Sequence, residues 1–173
     1  GEIGLDHAIE PRDDALQETA FLAQLRLACD LGRAASIHCR RAWGRMPELL
    51  AAFVGDGPGW VIHSYSGGAE LAPVLARGNV YFSFSGSVTW SGNRKSHRAA
   101  QAVPADRLLI ETDSPDILPA GLGAAPGEGR AAPNEPANLP RVLAAVASLR
   151  GWSEPQAAET TWTNAARVFG RGA

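Results

Sequence analysis

The chain has 173 residues, of which 45% are hydrophobic and 20% charged, and its formal charge is -2. That is enough apolar content for one core, and too little net charge to announce a polyanion-binding surface, although an enzyme that grips only a few nucleotides is not excluded. Two cysteines, Cys29 and Cys39, argue against a disulfide framework and for a reducing, cytoplasmic setting; no apolar run approaches the ~20 residues of a membrane helix, and no signal-peptide pattern is present.

Strand and helix signals alternate along the chain. GEIGLD opens as a strand, followed by a polar loop from His7 to Asp14. Ala15 to Leu31 reads as a helix with Leu16, Ala20, Leu22, Leu25, Leu27 and Ala28 on its apolar face, capped by Asp13 or Asp14 and stopped by Gly32; Cys29 falls in it as a buried thiol. Ala34 to Cys39 is a short strand, Ala42 to Phe53 a helix ended by GDGPG, and Trp60 to Ser64 a strand. Gly68 to Ala76 is helical, and Val80 to Phe84 is apolar enough for a strand buried on both faces. A helix around Arg94 to Val103 and a strand from Arg107 to Glu111 follow. Gly121 to Asn134 is a Gly/Ala/Pro-rich loop, long for a compact domain and of a kind often used as a lid. Two helices close the chain, about Glu135 to Arg150 and Glu154 to Phe169, the second capped by Ser153 with Pro155 in its first turn. This cadence implies a parallel sheet.

Four potential metal ligands stand at the apolar runs: Glu2 in GEIGLD, His38 in AASIHCR, His63 in WVIHSYSGG and Asp113 in LLIETDSP. Apolar runs that end in His, Glu or Asp build a core poorly, but they deliver ligands to one rim of a parallel sheet. The intervals are 36, 25 and 50 residues. At roughly 30 residues per strand–helix unit, these are about one, one and two units apart. The pattern points to a metal site at the strand ends of a (β/α) barrel. Such ligands suit Zn, Mn, Mg, Fe or Ni rather than a soft metal or an iron–sulfur centre. A carboxylate can also bridge two cations ~3.5–4 Å apart, as two-metal hydrolases require, and Asp113 can both bind metal and accept a proton from an attacking water. Each residue alone has a plainer reading: a satisfied buried histidine, a solvated terminal Glu, a capping Asp. Their shared geometry favours the metal.

Taken together and in order, GEIGLD, Gln17-x3-Phe21-x2-Gln24-Leu25, IHCRRA, HSYSG, ETDSP and NEP resemble the TatD family of metal-dependent deoxyribonucleases, part of the amidohydrolase-like superfamily of metal-bearing TIM barrels. The resemblance runs from residue 1 to about Phe169. It implies an α/β fold: a partial TIM (β/α)8 barrel, forming a single domain over residues 1–173, with about strands four to eight present and the N-terminal strands missing. By the same resemblance, Glu2 is a ligand bridging two metals, His38 and His63 are ligands, and Asp113 is both ligand and catalytic base. Two divalent ions (Mg, Mn or Zn), DNA strand ends as substrate and a monomeric protein are implied. Arg40 matches a candidate phosphate contact, with a structural ion pair as an equal reading; Tyr65 and His7 are candidate substrate contacts. Arg40, Arg41 and Trp90 are candidates to steer or stack a strand, Trp90 equally a packing residue. Glu111 is expected to point away from the metals and brace a loop, and Asn134 and Glu135 to fix the loop of NEP.

The chain also departs from the family pattern. Tyr65 stands where Phe is usual, and Arg41 where an acidic residue is frequent. Nothing matches the family's H-x-H pair of the first strand; the other histidines are His7 and His97, the latter expected on a solvated helix face. Because the chain opens directly on GEIGLD, a segment upstream is expected. Three readings follow. The first is an exonuclease-like deoxyribonuclease using metal-activated water. The second is a metal-dependent hydrolase of another ester, lactone or amide. The third is an inactive fragment that binds metal or a partner.

Overall fold

The computed structural model describes residues 1–53, 55, 57–123 and 133–170. Within them run β1 (Ile3–Asp6), α1 (Asp14–Asp30), β2 (Ala35–Arg40), α2 (Met46–Ala51), β3 (Trp60–Ile62), α3 (Ala72–Leu75), β4 (Val80–Phe84), α4 (Arg94–Ala102), β5 (Leu108–Ile110), α5 (Leu139–Arg150) and α6 (Glu154–Phe169). The five strands form one sheet in the order β1-β2-β3-β4-β5, every neighbouring pair parallel. The expected α/β alternation and parallel sheet are therefore present.

Side-chain alternation gives the sheet two different faces. Ala35, Ile37 and Cys39 of β2, Trp60 and Ile62 of β3, and Val80, Phe82 and Phe84 of β4 join the main core with Phe21 and Leu25 of α1, Met46 and Leu50 of α2, and Val142 and Val146 of α5. Full burial of Trp60, Phe82 or Phe84 is worth about 1.5–3 kcal/mol each, relative to exposure. The residues between them face the other way. There Val61, Tyr81 and Leu109 make a smaller cluster with Val168 of α6. β4 is buried along its whole length, as its composition predicts.

Helix boundaries differ from the sequence reading for a shared reason. Proline lacks an N–H and fits the first turn of a helix, so it marks a start. Pro47, Pro73, Pro140 and Pro155 occupy first-turn positions of α2, α3, α5 and α6. The three helices expected from Ala42, Gly68 and Glu135 accordingly begin later, after turns. Asp13, not Asp14, caps α1 by accepting from the Leu16 N–H at 2.9 Å, and Ser153 caps α6 by accepting from the Gln156 N–H at 3.3 Å. The face of α1 also differs from expectation. Leu16 and Leu27 are 65% and 55% exposed, while Phe21 and Leu25 are fully buried. At 100° per residue, Phe21, Leu25 and Ala28 form one stripe, with Leu22 and Cys29 beside it, and Leu27 falls outside it. His97 is not on a solvated face: its Nε2 lies 3.0 Å from the Val88 carbonyl. The expected Gly121 to Asn134 loop lies in part, over 124–132, outside the described residues. Among the described residues no helix is long and apolar enough to cross a membrane.

Gly4 controls how closely β1 approaches β2. It pairs with His38 at φ +146, and a β-carbon there would overlap the His38 backbone carbonyl. Gly4→Ala combines a conformation disfavoured for L-residues, at about 1–3 kcal/mol, with an overlap costing about 1–3 kcal/mol. A large drop in melting temperature, with metal binding weakened in whatever still folds, is the expected result; a melting curve like that of the unaltered chain would show that this approach is not needed.

Candidate metal centre

The inner face of the sheet collects the polar residues of the strand ends. On β2, alternation that buries Ile37 and Cys39 turns His38 to the opposite side. His63 follows Ile62 directly and keeps the strand's parity, its N–H bonding the Ile37 carbonyl at 3.1 Å. The pairing of Ile37 with Ile62 then makes His38 and His63 neighbours. Glu2, just before β1, shares one parity with Gly4 and Asp6, so both acids lie on the face of His38, and Glu2 also reaches His63. Glu111 and Asp113 extend the parity of Leu109 beyond β5.

Three of the four expected ligands meet. His38 Nδ1 lies 3.1 Å from His63 Nε2, His63 Nε2 lies 3.2 Å from Glu2 Oε2, and His38 Nδ1 lies 3.7 Å from the same oxygen. Ligands bound at about 2.0–2.1 Å around a tetrahedral ion stand about 3.3–3.4 Å apart. The triangle therefore has the dimensions of one face of such a shell, and its nitrogen and carboxylate donors fit a borderline divalent cation. The ring nitrogens on the far side agree. His38 Nε2 faces Asp6 Oδ2 at 3.2 Å, and His63 Nδ1 faces Glu111 Oε1 at 3.5 Å. A carboxylate behind a histidine fixes its tautomer and aims the other nitrogen at a metal.

Asp113 stands apart from that triangle. Its Oδ1 is 3.7 Å from His63 Nδ1, on the Glu111 side of the ring, so His63, Glu111 and Asp113 form a second group of possible ligands that shares His63 with the first. A neutral imidazole offers a lone pair at only one nitrogen. With Nε2 aimed at Glu2 and His38, the Nδ1–H is the natural donor to these acids. Burial pushes the Asp113 carboxyl up, and the charges of Glu111, Glu2 and Asp116 add to the rise, against His63. Burial works to lower His63, but the hydrogen bond and charge of Glu111, with Glu2 and Asp113, outweigh it and raise the ring. For Asp6, burial pushes upward and is overcome by the Ala8 N–H and by His38 and Arg40, leaving the carboxyl below its ordinary value.

Backbone strain is concentrated at this rim. Arg41, Ser64, Asp113 and Ile117, none of them glycine, have φ of 55°, 42°, 59° and 45°. Such conformations persist where surrounding bonds over-determine them. The Ser64 N–H donates to Glu111 Oε1 at 2.6 Å, and the Asp116 N–H to the Asp113 carbonyl at 2.8 Å. Asn134 ties the loop after β5: its Nδ2 donates to the Thr112 and Ile117 carbonyls at 2.7 and 3.3 Å, and its N–H to the Pro115 carbonyl at 2.9 Å. Asn134 thus fixes the loop, as the sequence suggests.

The histidines and Asp113 line a cleft of about 290 Å³, together with Arg40, Ser64, Ser66, Trp90 and Ile117. Arg40 is 63% exposed on its rim, with Nη1 4.0 Å from Asp6 Oδ2, so a loose ion pair and a place at the cleft coexist. Tyr65 is a correction. It is 2% exposed, its hydroxyl donates to the Gly68 carbonyl at 2.8 Å, and its ring packs on Trp43, Phe82 and Phe84. The left-handed turn at Ser64 breaks the strand's alternation and sends Tyr65 into the core, so it cannot touch a substrate. His7 is also turned elsewhere, toward Asp14 at 3.7 Å, and does not line the cleft. Glu111 does brace a loop through Ser64, but it points into the cluster rather than away from it. The sequence reading missed Asp6. Its place two residues after Gly4, on the parity of Glu2, was the available signal.

A parallel sheet whose strand ends present a carboxylate and two carboxylate-backed histidines belongs to the class of α/β proteins with the donor set of a divalent-metal site. The family described as TatD related DNase matches residues 1–170, and the chain belongs to that family. It is 40% identical to the 3'-5' ssDNA/RNA exonuclease TatD of Cronobacter sakazakii over 98% of this chain and 64% of the relative. To the protein of the same name from Escherichia coli K12 it is 37% identical, over 98% of this chain and 65% of the relative. The chain thus spans just under two thirds of the length of these curated relatives. In fold it is similar to a TatD homologue of Escherichia coli K12 (TM-score 0.86, 27% identity, 98% of this chain and 62% of that one). It is also similar to a TatD family hydrolase of Entamoeba histolytica (TM-score 0.79, 20% identity, 98% and 62%).

Two outcomes test this geometry. Asp6→Asn should weaken zinc or manganese binding about 10–100-fold in a calorimetric titration; unchanged affinity would mean that Asp6 does not orient His38. Burial pushes the Cys39 thiol up to about 12, from an ordinary 9.0. A raised thiol stays protonated at pH 8, where the thiolate is the reactive form. Peptide mapping after iodoacetamide should therefore find Cys39 unmodified in the native chain and modified once it is denatured.

Proposed function

We propose that this chain carries the catalytic end of a metal-dependent phosphodiesterase acting on the ends of DNA strands. The observation that carries the reading is the Glu2, His38 and His63 triangle, with Asp6 and Glu111 behind its rings and both histidines lining a cleft. Family membership and the printed activity of the exonuclease relatives support the choice of substrate. We further read the five strands as strands four to eight of an eight-stranded barrel within a single domain over residues 1–173; the open order of the sheet, with β1 and β5 at its edges, supports this. A monomer in the cytoplasm belongs to the same reading.

Glu2, His38 and His63 would hold a divalent ion, and the carboxylates of Asp113 and Glu111 would be available to a second. Such an ion supplies Lewis-acid polarisation of a phosphoryl oxygen and acidifies water near neutral pH. Asp6 and Glu111 hold the imidazoles in place. Asp113, whose carboxyl burial and acidic neighbours raise, would take the proton of the attacking water at Oδ1. Arg40 balances phosphate charge at the rim. Its exposure suits it to meet the substrate first and to lose strength as salt is raised.

A second reading keeps the site and changes the substrate, since a fold does not fix chemistry. The favouring observation is the small net charge and the few basic groups at the cleft. Turnover of a labelled oligonucleotide beside esters and lactones separates the two. In the nuclease-free protein, Asp113→Asn should retain its melting temperature and lose DNA cleavage by at least about 10²-fold; cleavage at the unaltered rate would remove Asp113 from the mechanism.

A further inference from the structure

Trp90 differs from a packing tryptophan in one respect. Trp60, in the core, is 0% exposed; Trp90 is 43% exposed and lines the same cleft as His38, His63 and Asp113. Its polar atom is nonetheless satisfied, because Nε1–H donates to the Leu118 carbonyl at 2.9 Å. The two segments on which the ring rests are fastened together. Thr89 Oγ1 accepts from the Ala120 N–H at 2.6 Å and donates to the Gly86 carbonyl at 2.7 Å, and Asn134 holds the Ile117 carbonyl. At Gly86 a β-carbon would overlap that same Ile117 carbonyl, so the absence of a side chain lets the loop close down on β4. The indole is thus a fixed apolar plate open to solvent, with little freedom left to lose when something settles on it.

The cleft is accordingly lined by two chemically different kinds of group: Arg40, the histidines and Asp113 on the one hand, Trp90 and Ile117 on the other. A charged group joined to a flat, apolar ring is the shape of a nucleotide. We propose that Trp90 is the stacking platform for the base of the nucleotide whose phosphate meets the histidines and Asp113, an inference that rests on the nuclease reading above. An unpaired base can turn its face onto such a plate without first breaking a base pair, so the platform favours an unpaired end.

The platform offers a face and no pattern of donors and acceptors. Asn93, beside it, already donates from Nδ2 to the Ser87 carbonyl at 3.1 Å and accepts at Oδ1 from the Ser96 N–H at 3.3 Å. Ser64 Oγ pairs with Ser85 Oγ at 2.6 Å. With Asn93 and Ser64 so engaged, stacking is the main hold on the base, and stacking tolerates every base.

The test uses a short phosphorothioate oligothymidylate in EDTA, read by tryptophan fluorescence, alongside steady-state cleavage of the ordinary oligonucleotide. Trp90→Leu keeps apolar bulk without a π-face and should weaken binding about 5- to 150-fold, raising KM while kcat for bound substrate holds. Trp90→Phe, which keeps a ring but loses the bond to Leu118, should bind within a few-fold of the unaltered protein and lose most of the binding-induced quench. Trp162→Phe, on α6 away from the cleft, should leave the quench in place. An oligodeoxyadenylate should show losses of the same order. Cleavage with Trp90→Leu binding as tightly as the unaltered protein would overturn the platform and leave the nuclease reading standing. So would equal weakening by Phe and Leu, which would make the Leu118 bond the important feature. Neither binding nor cleavage by the unaltered protein would overturn both.

Discussion

The site depends on how closely β1 can lie against β2. Glu2 immediately precedes β1 and Asp6 ends it, yet both reach histidines of other strands: Glu2 lies at His38 and His63, Asp6 at the back of His38. Only a residue without a β-carbon allows β1 to pass the His38 carbonyl at this distance. The glycine between the two acids thus sets the spacing at which a metal triangle and its supporting carboxylate can coexist. Parallel register does the rest, because it places residues of equal parity side by side at one end of the sheet.

Charge is the second constraint. Four carboxylates, from Glu2, Asp6, Glu111 and Asp113, gather around two imidazoles, and only Arg40 among the named cleft residues is a fixed cation. Part of that negative charge is met by backbone N–H groups, from Ala8 on Asp6 and from Ser64 on Glu111. The remainder shows as an Asp113 carboxyl lifted by burial and by its acidic neighbours. A cluster so arranged is poorly suited to stand without cations and well suited to hold them. The strained backbone at Ser64 and Asp113 belongs to the same arrangement: Ser64 gives its N–H to Glu111, and Asp113 faces the His63 ring.

Much of this was legible in the sequence because the signals were periodic. Apolar runs at one strand–helix spacing, each ending in a ligand type, lead to the parallel sheet and to Glu2, His38 and His63. Legibility failed where a side chain's direction depends on parity past the end of a strand. Tyr65 lies two residues beyond His63 in sequence, and after the αL turn at Ser64 it enters the core instead of the cleft. Glu111 reads as a brace and is one, but only coordinates show that its carboxylate also reaches the His63 ring. Asp6 escaped because an Asp at the end of a strand looks like the start of a turn. It is that as well, accepting from the Ala8 N–H at 2.7 Å. The late starts of α2, α3 and α5 follow from first-turn prolines, which were visible but were outweighed by the apolar pattern around them.

Asn134 has a consequence for how the chain can vary. Through one side chain and one N–H it fastens the far end of a long connection to Thr112, Pro115 and Ile117 at the near end, and Asn138 secures the same amide by donating to its Oδ1 at 2.9 Å. The two ends are thereby stapled to each other before the intervening chain is counted. The entropic cost of closing a loop rises only slowly with its length. A change in the length of that connection is therefore expected to disturb Asp113 little, because its two ends are tied to each other independently of what lies between them. The staple makes the connection a place where the chain can accept an insertion while the rim that carries Asp113 keeps its shape.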